Sequence, residues 1–489
     1  MKTLTLLLLG CCWQFALLAQ FTQVGSQLDG NAPNDNFGWD VASNQSGKII
    51  AVGAPLYDDD FGQVRVYQQN NGAWAQLGGD IEGNSIGNQY GFSLALNAAG
   101  DRLAIGGIGG QPGNGGQVAV FSLEAGNWVA LGDTMLAESA GDQFGYSLDM
   151  NDSGDRLVVG ARNNDGNGAE SGSVRVFALQ NNTWTQLGGD LDGDNPNDGL
   201  GESVGMNAAG DIIAAGSVNR NGGGFNSGQI KVWQWDGSSW IQLGSDIFGG
   251  GNGEFLGGDL DLSDDGLRVI SGATGHDHGM GFGSVRVYEF TNGSWTQVGS
   301  DVRGSSATEA FGQAVSINGD GSIIAVGTQS ADDVSTSSGR VNIFRLENGN
   351  WVEQYTPILG QAQFDNLGKS VALNQDGNRF VIGANLANGT QGYAVVYQDS
   401  QMPVSLEQFA DQLGVQLSVL AEEQWIEAGF AERQTWVQMR LFDLQGQKVA
   451  EKRFAKQAPY RLSYGERQGV YLLEISTSAD SWYQKVWLR

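Results

Sequence analysis

Short runs in which apolar and polar residues alternate with period two recur along most of this chain, among them "GFSLALN" from Gly91, "DRLAIGG" from Asp101 and "QVRVY" from Gln63. Side chains on an extended backbone point alternately to opposite faces, so each run predicts a strand with one buried face. Between the first two runs stands Asn-x-x-Gly or a near relative ("NAAGD", "NDSGD", "NQDGN"), in which Asn caps the turn and Gly takes positive φ. The local unit is therefore strand, tight hairpin, strand, followed by a third strand and a fourth that carries a tryptophan.

This unit repeats. An aromatic or Leu followed by Gly stands at Phe37-Gly38, Tyr90-Gly91, Phe144-Gly145, Leu200-Gly201, Leu256-Gly257, Phe311-Gly312 and Leu367-Gly368, 53 to 56 residues apart. Sixteen residues after each pair comes a glycine, from Gly53 to Gly383, and a third glycine opens each "GQVRVY"-like run. Twelve residues further on, in six copies, stands Trp74, Trp128, Trp184, Trp240, Trp295 or Trp351. Length varies between the second and third strands, which places those connections on the surface, together on one face.

The seventh copy, ending "YAVVYQDSQMP", has no tryptophan strand, while Phe21 precedes Phe37 by the 16 residues that separate Trp74 from Tyr90. An N-terminal strand that completes the last repeat has a use only in a closed ring. The expected fold is all-β: a seven-bladed β-propeller over residues 20–404, closed by the N-terminal strand, plus a small C-terminal β-sandwich. Residues 1–19, with Lys2, an apolar run and Leu17-Leu18-Ala19, read as a signal peptide, so the expected product is exported. No transmembrane segment is expected.

The "FG" pair with its later "GA", literal in the first copy as Phe37-Gly38 and "GAP" at 53–55, resembles the FG-GAP repeat of integrin-α-like propellers. That resemblance implies the fold. Its calcium loop is not carried over, because the first hairpin here is the tight form. Further on, "MRLFDLQGQKV" at 439–449, "RQGVYLLEIST" at 467–477 and the terminal "KVWLR" resemble the type A sorting domain of the type IX secretion system of Bacteroidota, without its usual "YPNP" opening. Residues 405–489 then imply the type IX machinery as a partner and an outer-membrane surface or secreted location.

Charge changes the picture next. The formal net charge is −28, and residues 20–404 carry 15 Lys+Arg against 43 Asp+Glu while 405–489 carry 10 against 11. The acidity belongs to the repeats and argues against nucleic acid or an anionic membrane as partner. Both cysteines lie in the targeting segment, which leaves no thiol chemistry in the repeats.

Candidate chemistry is sparse. "GESVG" at 201–205 fits a nucleophile elbow, but Ser203 occupies a frame slot that holds Ser or Asp in most copies. His276 and His278 are the only histidines and sit on one Gly-rich loop. Asp190, Asp192, Asp194 and Asp198 in "DLDGDNPND" have the alternate spacing of calcium-binding oxygens, against which an acidic strand end with an Asp cap is the competing reading. No catalytic residue and no other cofactor are expected. The fixed tryptophans read as packing between blades, and Tyr57, Phe61, Phe225 and Phe282 on the variable loops read as candidates for ligand contact. The expected function is a non-catalytic binding or adhesion propeller with an extracellular protein or glycan ligand, held on the loop face that Asp190–Asp198 borders. The alternative is a carbohydrate-active or lyase-type enzyme using carboxylates in the axial channel.

Overall fold

A computed structural model describes residues 21–399, apart from 111–112, 276–280, 308 and 355, and a set of strands between 416 and 488. Residues 1–20, where a signal peptide is expected, both histidines and the expected domain junction near residue 404 lie outside the described residues. Seven antiparallel sheets follow one another along the chain, the first built from Val41–Ser43, Ile49–Ala54, Gln63–Asn70 and Ala73–Gln76. Beyond them lie a three-stranded and a four-stranded sheet in which Tyr460–Ser463 of the one packs near Trp436–Phe442 and Lys448–Ala455 of the other. No described helix is long and apolar enough to cross a membrane.

Each blade has one strand more than the alternation predicts. The outer strand of the first blade covers only the end of the eight-residue third strand, with Tyr67 opposite Gln76 and Asn70 opposite Ala73. The chain then turns back, and Ile81–Glu82 pairs with Gln63 and Val64 at the strand's other end. The same two-residue strand recurs in every blade.

The closure is as expected. Phe21–Gln23 pairs with Tyr393–Asp399 of the seventh blade, placing Phe21 opposite Asp399 in the register that puts Trp74 opposite Gln69. Leu28–Asp29 supplies that blade's short fifth strand as well. Phe21 is buried and meets Phe380 edge-on at 5.0 Å.

The core lies between blades. Ala51, Val64, Val66 and Ile81 of the first blade form one cluster with Tyr90, Leu94, Leu103 and Ile105 of the second, and comparable clusters follow round the ring. Full burial of such a side chain contributes roughly 1.5–3 kcal/mol. Close approach explains the fixed glycines: a Cβ on Gly53 would collide with the carbonyl oxygen of Gly91, itself at φ +87°, and the same contact recurs to Gly383 against Gly38. The tryptophans join blades too. Each donates its indole Nε1–H to a carbonyl of the preceding blade at 2.7–3.0 Å, from Trp74 to Val24 through Trp351 to Val298. Phe21 has no such donor, so the seam between the sixth and seventh blades lacks this bond.

Candidate functional site

The first strand of every blade lines the axis and starts at the face that carries the variable loops. Two residues after six of the seven Phe-Gly-type pairs stands a side chain that clamps the next blade, the sixth blade having Ala314 in that slot. Ser93, Ser147, Ser203 and Ser370 donate to the carbonyls of Gly145, Gly201, Gly257 and Gly38. Asp40 and Asp259 work in the opposite sense, accepting the backbone N–H of Leu94 and of Val315. Ser203 is thus buried in the frame, and no elbow forms around it. Further down, Asp149 accepts from Met206, and Asp261 from Ile317 and Ser316.

All four carboxylates line the axial channel. Burial pushes Asp40 and Asp261 up to about 6, and Asp149 and Asp259 up to about 7, although two backbone N–H bonds on each act in the opposite direction. At the hairpin end the axis is encircled by a closed ring of backbone hydrogen bonds. Gln45 N–H donates to Ala98, Ala98 to Asp152, Asp152 to Ala208, Ala208 to Asp264, Asp264 to Gly319, Gly319 to Gln375, and Gln375 back to Gln45, at 2.9–3.2 Å. An asparagine stands before six of the seven members and Ser263 before Asp264; Asn97, for example, accepts from the N–H groups of Asp101 and Arg102 and so shapes the hairpin that presents the next residue.

The loop end differs. One residue after each Phe-Gly-type pair points to the mouth of a cavity of about 390 Å³: Trp39, Phe92, Tyr146, Glu202, Gly258, Gln313 and Lys369. The first three make a continuous aromatic arc, with centroids 5.3 Å and 5.1 Å apart and planes tilted by 44° and 48°. Each end of the arc carries a cation. Lys369 Nζ lies 4.3 Å from the Trp39 ring centroid, and Arg162 lies 4.4 Å from that of Tyr146. Arg162 also pairs with Glu202 at 2.8 Å and donates to the Tyr146 hydroxyl. Burial lowers the Lys369 ammonium below its ordinary value, against the opposing pull of Asp40 and Asp259.

The acidic stretch on the same face is answered by the chain's own cations. Asp190 accepts from Gln186, and Asp192 sits in the short strand Leu191–Asp192. Asp194 lies 2.6 Å from Lys231, and Asp198 caps the Asn195 N–H and approaches Arg220 at 3.6 Å. The four do not converge, and among the described residues no group of three acid, His or Cys side chains is arranged to hold a metal ion. Of the loop aromatics, Phe225 stands in solvent at 69% exposure, whereas Tyr57 packs against the core.

The sequence reading missed the arc. Its signal was present: between a fixed glycine and a slot that holds only Ser, Asp or Ala, one position runs through Trp, Phe, Tyr, Glu, Gly, Gln and Lys.

No curated protein matches the chain. Among solved structures it is similar to the β-propeller domain of Cps50 (Swd1) from Myceliophteria thermophila, at 11% identity, covering 76% of this chain and 98% of that one, with a TM-score of 0.49. It is also similar to U3-55K, at 12% identity, 76% and 97% coverage and 0.49. A third is a 6-phosphogluconolactonase-type protein from Bacteroides uniformis, at 12% identity, 68% and 88% coverage and 0.47. Residues 138–177, which run from the entry of the third blade through its third strand, match the FG-GAP repeat family.

Proposed function

We propose that the chain is an extracellular, non-catalytic binding propeller that holds its ligand at the loop end of the axis, and that residues 405–489 deliver it through the type IX secretion system. The observation that carries the binding reading is the loop-end ring, where a frame otherwise repeated blade by blade carries seven different residues, three of them contiguous aromatics. Aromatic groups with a few polar neighbours around a recess are the usual composition of a ligand site. The delivery reading rests on the resemblance of "MRLFDLQGQKV", "RQGVYLLEIST" and "KVWLR" to the sorting domain.

One observation favours a second reading. Asp149 and Asp259 are raised to about 7 in the channel that Lys369 also lines, a range suited to general acid–base work. Against it, each of these carboxylates is engaged by backbone N–H groups of two blades.

The test applies the secreted full-length protein to an array of glycans and extracellular proteins, and assays the bound glycans for new reducing ends or unsaturated products. Retention without product is expected. Product formation abolished by Asp259→Asn overturns the non-catalytic reading. In the same cells, loss of residues 485–489 is expected to hold the protein in the periplasm; normal surface exposure removes the sorting assignment.

A further inference from the structure

Four features of the loop-end mouth bear on what it binds. The aromatic arc occupies the first three blades, and the other four carry three polar residues and Gly258, so the mouth has an apolar wall and a polar wall facing each other across the axis. Gly258 stands across the ring from Phe92 and is not a frame glycine: a Cβ there would make only ordinary contacts, at 3.6 Å from Phe255 O and Val218 Cγ1. Its missing side chain keeps the mouth open where neither backbone nor packing demands it. Gln313, beside Gly258 in the ring, brings a side-chain amide to the lining of the mouth, a group able both to donate to and to accept from a polar ligand. The charges at the mouth are already answered, Arg162 by Glu202 at 2.8 Å and Lys369 by the field of Asp40 and Asp259.

These features select among ligand classes. A cation would compete with Lys369 and Arg162 for the outer aromatic faces. An anion would be set against the four channel carboxylates. A purely apolar side chain would cover the arc but make no use of the polar groups of Gln313 and Glu202 on the opposite wall. A neutral ring with an apolar face and hydroxyls at its edge satisfies both walls. Taking the mouth as the binding site, we propose that it is a subsite for one neutral sugar residue, seated with its C–H face on Trp39, Phe92 and Tyr146 and its hydroxyls toward Gln313 and Glu202.

The experiment titrates the full-length secreted protein with neutral gluco-, manno-, galacto- and xylo-oligosaccharides to millimolar concentration, by calorimetry and by tryptophan fluorescence. One series is expected to bind and to perturb the fluorescence through Trp39. Trp39→Ala and Phe92→Ala are expected to weaken that binding at least about tenfold, equivalent to about 1.4 kcal/mol. Gly258→Leu, which the backbone accommodates, is expected to abolish it by filling the mouth, and Ile241→Ala on an outer strand to leave it unchanged. Should an aromatic variant fail to fold, Gly258→Leu and Gln313→Leu carry the test. The inference is overturned if no neutral oligosaccharide binds, if only acidic ones do, or if binding survives both Trp39→Ala and Gly258→Leu. A protein ligand that is lost in the mouth variants, with no sugar bound, overturns this inference and leaves the binding function standing. Cleavage of the bound sugar does the reverse.

Discussion

The two ends of the propeller axis solve the same geometric problem in opposite ways. At the hairpin end the blades meet through backbone atoms, in a closed ring of seven N–H to carbonyl bonds whose members are Gln, Ala, Asp, Ala, Asp, Gly and Gln. Side-chain identity matters little there, because the joining groups are present in every residue. At the loop end the blades are joined by a glycine contact and, in six of the seven blades, by a Ser or Asp clamp, one on either side of a single position. That position is held in place without being used for joining, and its side chain is free to differ. An end built from backbone supports the ring, and an end with spare side-chain positions offers a surface for recognition.

Breaking the closure has the largest expected effect, because it damages both ends at once. Deleting residues 21–29 removes both N-terminal strands of the seventh blade, the Phe21–Phe380 contact and the acceptor of the Trp74 indole. The thermal midpoint is expected to fall by about 5 °C or more, since several kcal/mol of packing and pairing are lost. An unchanged midpoint shows that the ring does not depend on its closure.

A smaller effect comes from the channel that links the ends. Asp40, Asp149, Asp259 and Asp261 are raised from 3.8 to about 6 or 7, so between these values the folded chain holds more protons than the unfolded one. Their contribution to stability is fully present below about pH 4 and is lost as the pH rises through about 6–7. The double variant Asp149→Asn, Asp259→Asn is expected to flatten the difference in thermal midpoint between pH 4.5 and pH 8 relative to the parent protein. Parallel profiles for the two proteins show that these carboxylates ionise alike in the folded and unfolded states.

The smallest effect sharpens the comparison at the seam. Phe21→Trp places an indole donor in the one tryptophan slot that lacks it and adds a seventh bond between blades, worth about 1 kcal/mol. A midpoint raised by about 1 °C is expected in denaturation of the full chain. A lowered midpoint shows that the Phe21–Phe380 contact has no room for the larger ring.

Much of this was legible along the chain. The seven-fold spacing, the Asn-x-x-Gly hairpins and the shared spacing of Phe21 and Trp74 lead to a closed ring without coordinates, and the structure bears each of them out. Two features were not legible. Ile81–Glu82 and its counterparts are too short for alternation to register, and their partner lies in a strand nearly twenty residues earlier. The Asp190–Asp198 spacing describes oxygen ligands only if the backbone curls inward. Here Leu191–Asp192 is extended, and the neighbouring blade supplies Lys231 and Arg220 to the carboxylates that follow it.

What the sequence by itself determined is periodic: strand, turn, blade and the order in which blades follow one another. Those properties depend on residues near in the chain and on spacings that recur, so they survive without knowledge of the third dimension. Only the tertiary structure decided which varying residues share a place. Trp39, Phe92 and Tyr146 are more than fifty residues apart in sequence, and Lys369 is more than three hundred from Trp39. Closing seven blades into a ring brings them to one mouth, because each stands at the same depth on the strand that faces the axis.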